Sequence, residues 1–533
     1  MLLAALLIAA CSTKTDNGTK SSSGSTKDTA KPVAGGTLNV GLNAETDGWN
    51  PTSSQWAGAA YYVGQTVFDP LVSYGADYKP HPNLAKSITP NADNTKWTIK
   101  LRPGITFHDG TPLNADAVKV QLDKDKASFL VGQAFRPLKS VEKVDDLTVR
   151  VNMSQPWVAF PSALAGQAGF IASPKQLNAT GKAATDHPVG TGPYVFKEWT
   201  RDDHFTVTRN PKYWRKGVAY PSEITFRVIP NDQTRLSSLQ SGQLNLTTTG
   251  VASQILQARR DTSLNTHETN IDPTTMIMFN TAVAPFNDLR LRQAMSYAID
   301  QKQLRSTVGR GLGEQSTGPY LPSSPWYSPN GYPSKADPNK ARSLVDEYKR
   351  DKRVGGDVKF TLGCTPTPTN TQAMELIKTQ LSKVGFDATL KYTEQATYIN
   401  NALNGNYQAN CWVQLGAVDP DGDSIWWNSG NAGPVGSLAL NFMRMKDPQI
   451  DAALQEGRTN PDLAARKAAY GKVWKRFAKV LPYAFLSHPR VAVMWSDNVH
   501  GVGDAKLPDG SKALLYRGSL PTVIPLSSVW IGK

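Results

Sequence analysis

The sequence predicts an α/β protein of two or three packed units, and three observations carry that prediction. The chain has 533 residues, more than a single hydrophobic core usually serves. Its first half alternates apolar and polar residues with period two between turns marked by Gly and Pro, which is the pattern of strands. Its second half brings in helical spacing, in the order strand, helix, strand, helix, strand.

In the first half, Trp97, Ile99 and Leu101 face one side of the segment 96–102, and Lys96, Thr98 and Lys100 face the other. Leu147, Val149 and Val151 alternate with Thr148, Arg150 and Asn152, and Ile224, Phe226 and Val228 with Thr225 and Arg227. Further on, Leu291, Ala294, Met295 and Ala298 recur at helical spacing, as do Ala373, Ile377, Leu381 and Val384 before Gly385. Segments 359–364, 371–384, 388–392, 398–403 and 407–413 then fill alternating strand and helix positions. They predict a parallel sheet, whose ligands lie at the carboxyl ends of its strands.

The composition is globular: 39% apolar residues, 19% charged, with 13 Trp, 18 Tyr and 16 Phe. The net charge of +14 comes from basic residues scattered along the chain, which reads as a solvated basic surface and argues against nucleic acid as a partner. Cys11 directly follows the apolar run 1–10, which falls short of the about 20 residues that span a bilayer. Ile8, Ala9, Ala10 and Cys11 resemble the lipobox of bacterial lipoproteins, whose cysteine is lipidated after the signal peptide is removed. No Lys or Arg precedes the run, a departure from the usual signal peptide that leaves the true translation start open. Residues 12–31 lack large apolar side chains and read as a flexible tether. The expected location is therefore the extracytoplasmic face of the cell membrane, with a lipid anchor at Cys11.

Several motifs follow one another in a fixed order: Pro82-Asn83-Leu84-Ala85-Lys86-Ser87, the run 104–112 (GITFHDGTP), Asn114-Ala115-Asp116-Ala117-Val118 and Gly190-Thr191-Gly192-Pro193-Tyr194. They continue with Arg209-Asn210-Pro211-Lys212-Tyr213-Trp214, Phe279-Asn280, Arg292-Gln293-Ala294, Ala298-Ile299-Asp300 and Asp337-Pro338-Asn339-Lys340-Ala341. Over residues 36–500 the sequence resembles the peptide and nickel class of transporter binding proteins, solute-binding family 5. The resemblance implies a two-lobed periplasmic-binding-protein-like fold of type II with an inserted subdomain and a ligand between the lobes. On that basis residues 1–35 are leader and tether, and 36–64, 190–280 and 493–533 form lobe I. Residues 65–189 form the insert and 281–492 form lobe II, with crossings near 279–287 and 487–492. The implied partners are a small-molecule ligand, the permease subunits of an ABC importer and the membrane through the lipid. The protein is expected to be a monomer.

Catalytic and cofactor chemistry finds no support. The seven histidines, at 81, 108, 187, 204, 267, 488 and 500, form no i, i+4 pair and neighbour no Cys, so neither a metal nor any other cofactor is expected. Nucleophile-elbow and phosphate-loop motifs are absent, and Gly309-Arg310-Gly311-Leu312-Gly313 lacks dinucleotide spacing. Asp419, Asp421 and Asp423 alternate like a calcium loop, but Gly422 is misplaced and position 12 would be Gly430. A secreted hydrolase or a surface receptor without transport are the competing classes.

Family members that bind peptides often carry an ammonium-anchoring aspartate four residues before the proline of the pair matched by Asp419-Pro420. Gly416 occupies that position, which points away from ordinary free-amino peptides and toward a sugar, an aromatic acid or a modified compound. An oligopeptide or dipeptide ligand is the alternative. Trp412, Gln414, Trp426 and Trp427 surround this turn, and Trp56 follows Asn50-Pro51 in an early loop. Indole faces there suit ring stacking. Asn280 and Asp419 are expected to add polar contacts, and Arg444 to meet a ligand carboxylate. Cys364 and Cys411 lie near the carboxyl ends of strands expected to be neighbours, so they form either a disulfide or two buried thiols.

Overall fold

The computed structural model describes residues 31–129, 131–515 and 524–532; Cys11 and tether residues 12–30 lie outside them. A seven-stranded sheet forms the first lobe, in the order Leu264–Asn270, Arg490–Ser496, Leu246–Thr249, Thr37–Leu42, Glu223–Val228, His204–Arg209, Tyr194–Thr200. A six-stranded sheet forms the second, in the order Glu314–Gln315, Tyr483–His488, Thr274–Phe279, Ala409–Gln414, Val358–Cys364, Phe386–Tyr392. Inserted in sequence between strands Thr37–Leu42 and Tyr194–Thr200 of the first sheet, Ala85–Pro90, Lys96–Leu101, Thr148–Met153 and Leu138–Asp145 build a four-stranded sheet with its own core around Trp97, Phe135 and Trp157.

Strand Thr274–Phe279 shows why the second sheet is central. Ile277 and Phe279 enter one apolar cluster, and Met276 and Met278 enter another. Alternate side chains point to opposite faces of a strand. A strand buried on both faces therefore reads as an almost unbroken apolar run, which is the reason MIMF shows no polar alternation.

The segments expected as strand, helix, strand, helix, strand are Val358–Cys364, Pro368–Ser382, Phe386–Tyr392, Gln395–Asn404 and Ala409–Gln414, and their three strands are parallel. The sheet as a whole is mixed, because Thr274–Phe279 runs antiparallel to both Ala409–Gln414 and Tyr483–His488. Thr274–Phe279 carries the chain into the lobe and Tyr483–His488 carries it out, so these two neighbours run in opposite directions.

That arrangement moves one expected boundary. Strand Leu264–Asn270 belongs to the first sheet and Thr274–Phe279 to the second, so the chain first crosses at 271–273 and not at 279–287. The return crossing is at Pro489, between Tyr483–His488 and Arg490–Ser496. The two crossings are bonded together: Ile271 N donates to Pro489 O at 3.3 Å, and His488 Nδ1 lies 2.9 Å from Asp272 O.

The motifs have local physical reasons. The turn at His108 docks on the Gly190–Pro193 run, with His108 N donating to Gly190 O at 2.9 Å. A Cβ on Gly190 would lie 2.1 Å from Val67 O, and one on Gly192 2.5 Å from Val67 C. The Asp-Pro pairs at 337, 419 and 447 each start a helical turn, the aspartate capping and the proline occupying the first turn. Arg292 is buried and donates to the carbonyls of Phe286, Val480 and Leu481, and burial pulls its pKa down to about 10.

Candidate ligand-binding site

Strand Ala409–Gln414 presents Asn410, Trp412 and Gln414 on one face of the second sheet. The Trp412 indole donates to Gln414 Oε1 at 2.8 Å and stacks on Tyr398, with centroids 5.4 Å apart and planes 26° apart. Trp412 also meets Phe442 at 5.4 Å, and Trp426 packs on the same ring at 5.3 Å. Trp412, Gln414 and Trp426 are all half-buried. The structure thus gathers these expected residues into one aromatic wall with a polar tip.

The other expected residues lie elsewhere or are internally engaged. Trp427 is only 2% exposed and packs edge-on against Trp474 and Phe477, which makes it a core residue. Trp56 is half-buried in the first lobe, where its indole donates to Gly48 O and its ring covers Gly64 so closely that a Cβ there would lie 2.7 Å away. Asn280 is fully buried, donating to Gly405 O and Tyr407 O and accepting from Ala282 N. Buried Arg444 donates to the carbonyls of Leu403, Ser437 and Ala439, with no carboxylate among its described partners. Asp419 is buried against Arg466 at 2.7 Å and accepts from Asp421 N. Asn280, Asp419 and Arg444, expected at the ligand, are braces within the second lobe, because a buried polar group must find its partners in the protein.

Gly416 is pinned against the first crossing. Its φ is +79, and a Cβ there would lie 2.7 Å from Asp272 C and 2.8 Å from Pro273 N. No side chain fits at this position without displacing backbone.

Three aspartates gained roles that sequence reasoning did not assign. Asp421 Oδ2 accepts from the Trp157 indole at 2.7 Å, and its Oδ1 accepts from Arg458 Nε at 2.8 Å. Asp423 accepts from Ala417 N at 2.8 Å, and burial pushes its pKa up to about 7. Asp272, at the first crossing, accepts from Leu321 N at 3.0 Å, and burial pushes it up to about 6. Asp419, Asp421 and Asp423 therefore serve separate partners, and no metal-ligand cluster occurs among the described residues. Their alternation was visible in the sequence; the arginines and the tryptophan that meet them come from distant segments.

The Trp157 contact ties the inserted subdomain to the second lobe. Beside it Val158 N donates to Arg458 O at 3.0 Å, and Gln455 Nε2 donates to Gln155 Oε1 at 2.8 Å. On the opposite face of strand Ala409–Gln414, Cys411 is disulfide-bonded to Cys364, with Cα atoms 5.1 Å apart. The parallel register Leu362↔Ala409 and Gly363↔Asn410 brings the two cysteines side by side.

Two lobes joined by paired crossings, with an inserted subdomain and an aromatic wall on one lobe, define a solute-binding protein. Residues 79–436 match bacterial extracellular solute-binding proteins, family 5 Middle, and the chain belongs to that family, whose members bind solutes for ABC importers. It is 28% identical over 467 residues to the glutathione-binding protein GsiB of Pectobacterium atrosepticum, covering 85% of this chain and 87% of that protein. With GsiB of Escherichia coli K12 it shares 32% identity over 304 residues, 56% of this chain and 57% of that one. AgaA from A. tumefaciens R10, solved with agropinic acid, superposes with a TM-score of 0.79 at 25% identity, covering 93% of this chain and 99% of AgaA. DppA from Helicobacter pylori, solved with the peptide STSA, superposes with a TM-score of 0.81 at 23% identity, covering 94% and 99%. No helix among the described residues is long and apolar enough to cross a membrane.

Proposed function

We propose that this protein is a lipid-anchored capture subunit of an importer, and that its solute is a small compound with a flat or aromatic part and no free peptide ammonium group. The carrying observation is Gly416: the position from which an anchoring acid would be expected holds no side chain and has room for none. A buried ammonium without a partner carboxylate costs several kcal/mol, enough to remove most useful affinity. The stacked Trp412 and Tyr398 rings, with Gln414 at the indole edge, supply a face for rings and one polar contact. The similarity to AgaA, solved with agropinic acid, supports a ligand outside the ordinary peptides.

A second reading, glutathione, is favoured by the named activity of the GsiB relatives. Calorimetry on the full chain distinguishes the two. Submicromolar binding of free-amino di- to pentapeptides overturns the first reading, and submicromolar binding of glutathione alone establishes the second.

A further inference from the structure

The face of the second lobe that carries Trp412 also holds a pocket of about 390 Å³, within the size range of small-ligand sites. Thr361 and Gly363 come from one strand, Asn410 from the next, Tyr398 and Asn401 from helix Gln395–Asn404, and Lys391 from the sheet edge. Tyr398 lines the pocket and stacks on Trp412, so the pocket and the aromatic wall are continuous.

The unmet chemistry of this pocket is of one kind. Asn410 is 3% exposed and its Nδ2 has no hydrogen-bond partner. Its Oδ1 is seated over Gly363, where a Cβ would lie 2.3 Å from it. A buried donor left unpaired is costly and rare, and one lining a pocket marks where an acceptor fits. Two neighbouring polar side chains are already engaged. Gln408 accepts from Thr361 N and donates to Ala284 O, and the Tyr398 hydroxyl donates to the Cys411 carbonyl.

Charge points the same way. Lys391 is the one charged residue among those lining the pocket, and no carboxylate lines it. Behind Gly405 lies the buried Arg444 guanidinium, close enough that a Cβ on Gly405 would be 2.9 Å from its Nε, and that Nε also lacks a partner. Two buried unpaired donors and two positive charges, with no acid facing them, favour an anionic acceptor.

We propose that this pocket receives a carboxylate of the transported solute, with Asn410 Nδ2 and Lys391 Nζ as its ligands and Arg444 as a fixed positive charge behind them. The proposal rests on reading this face of the second lobe as the solute site. A planar anion with two oxygens matches one amide donor and one ammonium, and its ring or carbon skeleton then lies toward Tyr398 and Trp412.

The test is a fluorine NMR titration of the full chain with para-fluorobenzoate, using para-fluorobenzamide as the uncharged counterpart. The benzoate is expected to bind saturably and about tenfold or more tighter than the benzamide, the scale of a charge-assisted hydrogen bond. Asn410→Asp, which keeps the shape and adds a negative charge, and Lys391→Gln, at an exposed position, are each expected to weaken the benzoate about tenfold and to leave the benzamide unchanged. Lys391→Gln carries the test alone if Asn410→Asp does not fold. Equal binding of the two probes, no saturable binding of either, or wild-type benzoate affinity in a folded variant overturns the proposal. A free-amino peptide that binds while the benzoate still responds to Lys391→Gln removes the ligand reading above and keeps the pocket. A benzoate indifferent to Lys391→Gln removes the pocket and leaves that reading standing.

Discussion

The Trp157 indole, from the inserted subdomain, donates a 2.7 Å hydrogen bond to the Asp421 carboxylate of the second lobe, which Arg458 holds from its other oxygen. Trp157 is 1% exposed and Asp421 5%. This contact is a latch between two parts of the chain that a hinged binding protein moves against each other. In Trp157→Phe the ring can stay while the donor goes. A hydrogen bond to a charged group is worth about 1.5–3 kcal/mol, so the variant is expected to populate opened conformations. Small-angle scattering with a larger radius of gyration, at an unchanged circular dichroism spectrum, is the outcome that supports the latch; an identical scattering curve contradicts it.

Gly416→Asp tests whether an ammonium anchor can be restored by sequence alone. The new side chain meets the Asp272–Pro273 backbone and must adopt positive φ, so the variant is expected to lose about 1–3 kcal/mol to overpacking and to gain no peptide affinity. A stable Gly416→Asp protein that binds dipeptides would show that the crossing gives way.

Burial of Asp423 sets a pH dependence. A carboxyl whose folded pKa is raised to about 7 from 3.8 binds protons more tightly in the folded state than in the unfolded one. Its contribution to stability is fully present below about 3.8, the unfolded value, and is lost as pH rises through 7. The stability of the wild type relative to Asp423→Asn should therefore fall between pH 4 and 7, by at most about 1.4 kcal/mol per pH unit. Urea midpoints of both proteins across that range measure it, and parallel curves would place the titration elsewhere.

The Cys364–Cys411 bridge closes a loop with a sequence separation of 47. Loss of the bridge in Cys411→Ser is expected to cost about 2–4 kcal/mol, read as a lower denaturant midpoint that reducing agent does not lower further. Mass mapping of unreduced, alkylated peptides checks the bond itself: two labelled thiols in the denatured wild type refute it.

Cys11→Ala is expected to release the protein from membranes into the soluble fraction, since residues 12–31 contain no large apolar side chain to hold the chain there. Retention after a high-salt wash would assign the attachment to another part of the molecule.

The sequence by itself determined the family, the two-lobed α/β architecture and most element positions. The family and the two lobes are carried by the resemblance of the ordered motifs, and the element positions follow from local rules: period-two strands such as Lys96–Leu101, capping aspartates before prolines at 337, 419 and 447, and glycines such as Gly190 where another backbone approaches. Trp412, Gln414 and Trp426 were legible because they lie near one turn and meet there. Tertiary structure alone decided what the polar residues do. Asn280, Asp419 and Arg444 look free in one dimension, but their partners at Gly405, Arg466 and Leu403 are 125, 47 and 41 positions away. The first crossing fell at 271–273 because membership of a strand in one sheet or the other depends on which edges pair, and hydropathy does not record pairing. The unpaired amide of Asn410 belongs to the same class, since a missing partner becomes visible only when every neighbour has been placed.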